Sequence, residues 1–109
     1  MAWLVLDGRV LASAEVVSGR RDRRRGLLGR NGHDGAMVLS PCRWIHSVGM
    51  HFPLDVAYLD VDGVVLKTMR MVPNRVALPV VKAKTVVEAE AGAFARWGLH
   101  VGDIVELHQ

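Results

Sequence analysis

Cys42, His46, Met50 and His51 place a thiol, a thioether and two imidazoles close together in the chain, the soft and borderline donors that copper or zinc accepts. The step of four from Cys42 to His46 to Met50 would set them on one helical face. Pro41 and Gly49 break a helix there, and no CxxC, HxH or HExxH spacing accompanies them. The expectation is therefore no metal and no cofactor. Cys42 paired with His33 or His46 would make a thiol nucleophile and its base, but only within hydrogen-bond reach. A lone cysteine is otherwise a small, buried apolar side chain. An enzyme centred on Cys42, His46 and His51 stands as the alternative reading, without an assigned catalytic residue.

Asp55 and Arg70 are the stronger lead. Leu54 to Val61 is apolar on both faces, Asp62-Gly63 favours a two-residue hairpin turn, and Val64 to Met71 returns antiparallel. That register sets Val56 opposite Met69, Tyr58 opposite Lys67, and Asp55 opposite Arg70. Asp55 shares a strand face with Ala57 and Leu59, so its carboxylate points into partly buried space and needs a partner. Arg70 supplies one. The pair is either a brace that fixes the register or, with Met50 and His51 nearby, the wall of a ligand pocket.

The third cluster is basic. Residues 20–30 hold six arginines and one aspartate, leaving eight basic and ten acidic residues elsewhere, so the net charge of +3 comes from one patch. Arg20, Arg21, Arg24 and Arg25 are its candidate anion-binding residues. A polyanion such as nucleic acid would use them, with Arg43 and Trp44 if that ring is exposed for stacking. A solvated helix surface is the plainer reading.

The elements that must position these residues follow from turn chemistry and apolar patterning. Trp3 to Leu6 and Val10 to Val17 read as strands joined at Asp7-Gly8. Ser18 can cap a helix from about Arg20 to Leu28, ended by Gly29. Ala36 to Leu39 is a short apolar strand, and residues 72–84, with Pro73, Asn74 and Pro79, form an excursion. Thr85 to Glu90 is a strand, Gly92 to Trp97 a helical turn ended by Gly98, and Ile104 to His108 a closing strand. These elements predict an α+β fold, mainly antiparallel, with a barrel-like sheet and two short helices in a single domain over residues 1–109. No apolar run approaches the roughly 20 residues of a spanning helix. With one cysteine and no signal-peptide pattern, the expectation is a cytoplasmic protein with no membrane partner.

Several runs are also similar to a known family. Arg25-Gly-Leu-Leu28, Gly49-Met-His-Phe-Pro-Leu-Asp55 with its Asp-Gly hairpin, Glu88 followed by Gly92, and Gly98-Leu-His-Val-Gly-Asp103 together resemble the DUF192 family over nearly the whole chain. The resemblance implies a compact β-rich fold with small helices and supplies no mechanism. Leu28 stands where members often carry Met, and Gly35-Ala-Met-Val-Leu39 where they often read Gly-Met-Leu-Phe. Many relatives carry a signal peptide or lipid-anchor leader, whereas this chain starts directly at its first strand. The sequence therefore points to a non-enzymatic binding or accessory module. Its ligand-binding candidates are Met50, His51, Asp55 and Arg70, and its partner a small anionic ligand or another protein.

Overall fold

The computed structural model describes residues 2–17 and 35–109. The expected helix from Arg20 to Leu28, and with it Arg20, Arg21, Arg24 and Arg25, lies outside the described residues. Seven strands form one sheet: β1 (Ala2–Leu6), β2 (Arg9–Val17), β3 (Ala36–Leu39), β4 (Leu54–Leu59), β5 (Val65–Met71), β6 (Thr85–Glu90) and β7 (Val105–His108), in the order β5-β4-β6-β3-β2-β1-β7. Every neighbouring pair is antiparallel except β2 and β3. Asp7 and Gly8, at φ of 52° and 77°, make the β1–β2 turn, positive angles that these two residue types tolerate.

The sheet curls on itself as a half-barrel. Its edge strands, β5 and β7, meet only at one corner: Val64 bridges Ile104, Val65 N–H donates to Asp103 O at 2.8 Å, and Val105 N–H donates to Gly63 O at 2.9 Å. Inside the curl, Leu4, Val38, Leu59, Val65, Val87, Phe94 and Val105 form a core drawn from strands across the whole sheet. A second core lies on the outer face of β3 to β6, where Met37, Met50, Leu54, Val56, Tyr58 and Met71 pack under Ile45, Val80 and Ala83. The central strands β3 and β4 are therefore buried on both faces, which is why their sequences show no polar alternation.

The α+β expectation is corrected: the chain is mostly β. Among the described residues there is one helix, α1 (Ala93–Trp97). It lies between Gly92 and Gly98, both left-handed at φ of 99° and 68°, so only five residues have room to be helical. One such turn plugs the curl and cannot form a second layer.

The β4–β5 turn is also longer than a two-residue bend. Asp60 N–H donates to Val64 O, Gly63 N–H donates to Asp60 O, and Gly63 adopts φ of 85°, so residues 61–63 make a three-residue turn. Leu59 consequently pairs with Val65, and a register shift beyond it restores Tyr58 opposite Lys67 and Asp55 opposite Arg70. The longer turn and the bulge cancel, leaving the expected register intact from Tyr58 onward. Gly63 is required twice, by its positive φ and because a Cβ there would run into the Val105 carbonyl oxygen. Gly63→Ala should therefore lower unfolding stability by about 2 kcal/mol or more, measured by urea denaturation; an unchanged midpoint would show that this corner does not close the sheet.

Candidate functional site

Asp55 lies at the centre of the site. β4 carries this residue into the curl at 6 % exposure, and its two carboxylate oxygens are used differently. Oδ1 accepts the Arg70 Nε–H at 3.3 Å across the β4–β5 ladder. Oδ2 accepts the backbone N–H of Gly92 at 2.9 Å and of Phe94 at 3.1 Å. The first N–H groups of a helix have no partner within it, and a glycine at the N-cap has no side chain to offer. A carboxylate from a neighbouring strand does that work here, and its charge suits the positive end of the helix.

The other end of α1 is held in the complementary way. Arg9, the first residue of β2, donates to the Trp97 carbonyl oxygen at 2.7 Å, and Gly98 lets Leu99 N–H reach Phe94 O. Phe94 and Trp97 stack at a centroid distance of 5.5 Å and seat the helix in the inner core. The plug is thus clamped by an acid at its start and a base at its end. Neither clamp had a signal in the sequence beyond the buried position of Asp55, because both partners on α1 are main-chain atoms.

The structure brings two of the four ligand-binding candidates into contact. Asp55 and Arg70 are in contact, with Arg70 59 % exposed at its side chain. Met50 is buried in the outer core on the opposite face of β4, and His51 is exposed. Cys42 lies at the edge of the outer core, where its thiol donates to the Trp44 carbonyl oxygen at 3.1 Å. His46 Nδ1 accepts the Val48 N–H at 3.3 Å and its ring lies 6.0 Å from Trp44. Among the described residues, no three His, Cys, Asp or Glu side chains converge as a metal site.

The outer core also holds two polar groups to which the sequence assigned no role. Glu88, 1 % exposed, sits on β6 between Met37 and Val56 in register. Tyr58, with its hydroxyl 4.0 Å from the Met69 sulfur, has its phenol pushed above the ordinary value, first by burial and then by the nearby Cys42 and Glu88.

A cleft of about 370 Å³ opens inside the half-barrel. Leu4, Val38, Leu59, Val87 and Val105 form its walls, and Asp60, Asp62 and Glu106 stand with Ser40 and Thr85 among its polar lining. It lies at the far end of β4 from Asp55, about 13 Å away at the rise of an extended strand.

A curled, largely antiparallel half-barrel with a clamped helical plug and an apolar cleft is the architecture of a small β module. The chain belongs to the DUF192 family, described as an uncharacterized ACR, whose model matches residues 3–107. No curated protein matches it in sequence. Two crystal structures share the fold. One is a protein of unknown function from Novosphingobium aromaticivorans, at TM-score 0.77 and 23 % identity, covering 96 % of this chain and 82 % of that one. The other is described as a putative transcription regulator from Sinorhizobium meliloti, at TM-score 0.78 and 23 % identity, covering 96 % and 90 %.

Three substitutions separate the helix clamp from the ladder pair. Asp55→Ala should cost about 3 kcal/mol of unfolding stability, the scale for stranding the partners of a buried charge, whereas Arg70→Ala should cost under about 1 kcal/mol because the guanidinium is mostly in water. Asp55→Asn should fall between them, since an amide can present an acceptor to Arg70 or to the two N–H groups but not to both. Equal losses for Asp55→Ala and Arg70→Ala in urea melts would show that the ladder pair, not the helix clamp, carries the energy.

Tyr58 is the sole tyrosine, so phenolate absorbance reports it alone. The neutral phenol is favoured in the fold, so its contribution to stability is complete below the unfolded-state value of 10.0 and is lost as pH rises through the folded value. Native protein should titrate later than urea-unfolded protein; coincident curves would place the ring in water.

Proposed function

We propose that this protein is a non-enzymatic binding module whose ligand enters the half-barrel cleft. The observation that carries this reading is the cleft itself: its volume lies within the range that holds small ligands, and its apolar walls lie beside a few polar groups. Asp55 serves the fold by clamping the start of α1, Arg70 braces Asp55 across the ladder, and the ligand is met by the walls and rim. Asp60, Asp62 and Glu106 on the rim favour an aliphatic or aryl compound with a cationic head over the small anion suggested by the arginine-rich sequence. The hydrogen bond from the Cys42 thiol to a carbonyl oxygen supports a structural role for that cysteine.

Calorimetric titration with a series of n-alkylammonium ions tests the proposal. Binding should saturate at one equivalent, tighten about fourfold per added methylene, and weaken in Asp62→Lys and Val16→Trp, two exposed positions at the cleft. No saturable binding of any chain length, or equal affinity for n-alkylcarboxylates, would overturn it.

A further inference from the structure

Residues 72–84 have no strand or helix of their own but are held firmly against residues 42–50. Ser47 is fully buried and its hydroxyl donates to Val72 O at 2.6 Å while accepting the Arg75 N–H at 2.9 Å. Ala77 N–H donates to Ile45 O at 3.1 Å, Val80 N–H donates to Arg43 O at 2.9 Å, and Val76 bridges His46. Ala77, Val80 and Ala83 pack inward on the outer core. The residues between them turn the other way: Val76 is 69 % exposed, Leu78 82 % and Val81 79 %. Three large aliphatic side chains are therefore presented to water on a well-tied backbone, which contributes nothing to the core and marks an interaction surface.

The charge on the same face is mainly positive. No acidic residue occurs between Asp62 and Glu88, or between Asp34 and Asp55, so both segments that build this face lack carboxylates. Their cations are Arg43, Arg75, Lys82 and Lys84. Arg43, Lys82 and Lys84 line a shallow groove of about 580 Å³ whose apolar side includes Val61 and Val81. Among the described residues that line the groove, Asp60 is the one acid, and its Oδ1 already accepts the N–H groups of Asp62 and Val64.

We infer that the face formed by residues 42–48 and 72–84 docks on an anionic phospholipid surface, with Val76, Leu78 and Val81 entering the headgroup boundary and Arg43, Lys82 and Lys84 receiving lipid phosphate. Aliphatic side chains between cations match both halves of such a surface, the acyl boundary and the negative headgroups. A single-stranded nucleic acid would instead favour exposed aromatic faces for stacking, and Trp44 on this face is half-buried. Contact of this kind lies in the plane of the interface, so it is compatible with the absence, among the described residues, of a helix long and apolar enough to cross a membrane.

Sedimentation with vesicles of phosphatidylcholine alone and of three parts phosphatidylcholine to one part phosphatidylserine tests the inference. The protein should bind the mixed vesicles, bind the neutral ones far less, and be released as salt rises. Lys82→Gln and Lys84→Gln should each weaken partitioning about fivefold, and Leu78→Asp should abolish it, with melting temperatures unchanged because all three side chains are exposed. Inorganic phosphate at millimolar levels should not compete. The inference is overturned by equal binding to both vesicles, by no binding, by release with inorganic phosphate alone, by tighter binding to single-stranded DNA, or by a Leu78-dependent dimer in sedimentation equilibrium.

Discussion

The structure depends on an acceptor without a proton. Asp55 must satisfy three donors at once, the Arg70 guanidinium and the backbone N–H groups of Gly92 and Phe94, and a carboxylate is the side chain that can do so from one buried position. Without it, α1 begins with unsatisfied N–H groups inside an apolar core. The helix is too short to be stable alone, so its seat in the curl depends on the strand beneath. Arg9 repeats the logic with opposite charge at the other end. Phe94 and Trp97 can then fill the interior that a seven-stranded curl would leave hollow at that end.

Burial on both faces of β3, β4 and β6 follows from the same arrangement. The plug fills part of the inner face, and the segments 42–50 and 72–84 cover the outer one. Where the plug does not reach, at the end marked by Leu59 and Thr85, the inner face stays open as the cleft. One end of the half-barrel is thus filled by the plug and the other stays open, so the cleft lies away from the most conspicuous ion pair.

Much of the strand pattern was legible because it rests on local signals. Asp7-Gly8 and Asp62-Gly63 mark both hairpins, and the apolar run of β4 announces a doubly buried strand. The pairing of Asp55 with Arg70 was legible as well, although for an incomplete reason: the turn is a residue longer than expected and a bulge compensates. What was hidden involves main-chain atoms or distant contacts. The N–H groups of Gly92 and Phe94, the carbonyl of Trp97 and the carbonyl of Val72 leave no trace in residue type, and they are met by Asp55, Arg9 and Ser47 across long stretches of chain. The separation of Met50 from Asp55 was hidden for a geometric reason, since sequence proximity says nothing of which side of a sheet a loop will cover. The helical turn ended by Gly98 was legible too, but a piece of five residues that only plugs a seven-stranded sheet does not make an α+β fold.

The incomplete meeting of β5 and β7 has a consequence for the behaviour of the protein in concentrated solution. Joined at one corner, the two strands each leave, among the described residues, a row of main-chain donors and acceptors without a neighbouring strand, the kind of template on which strands from other molecules add. On β5 that row carries Lys67 and Arg70, both exposed. Two such edges brought side by side would force like charges together in a desolvated ladder, so the same arginine that steadies Asp55 also guards the rim against runaway polymerisation into fibres.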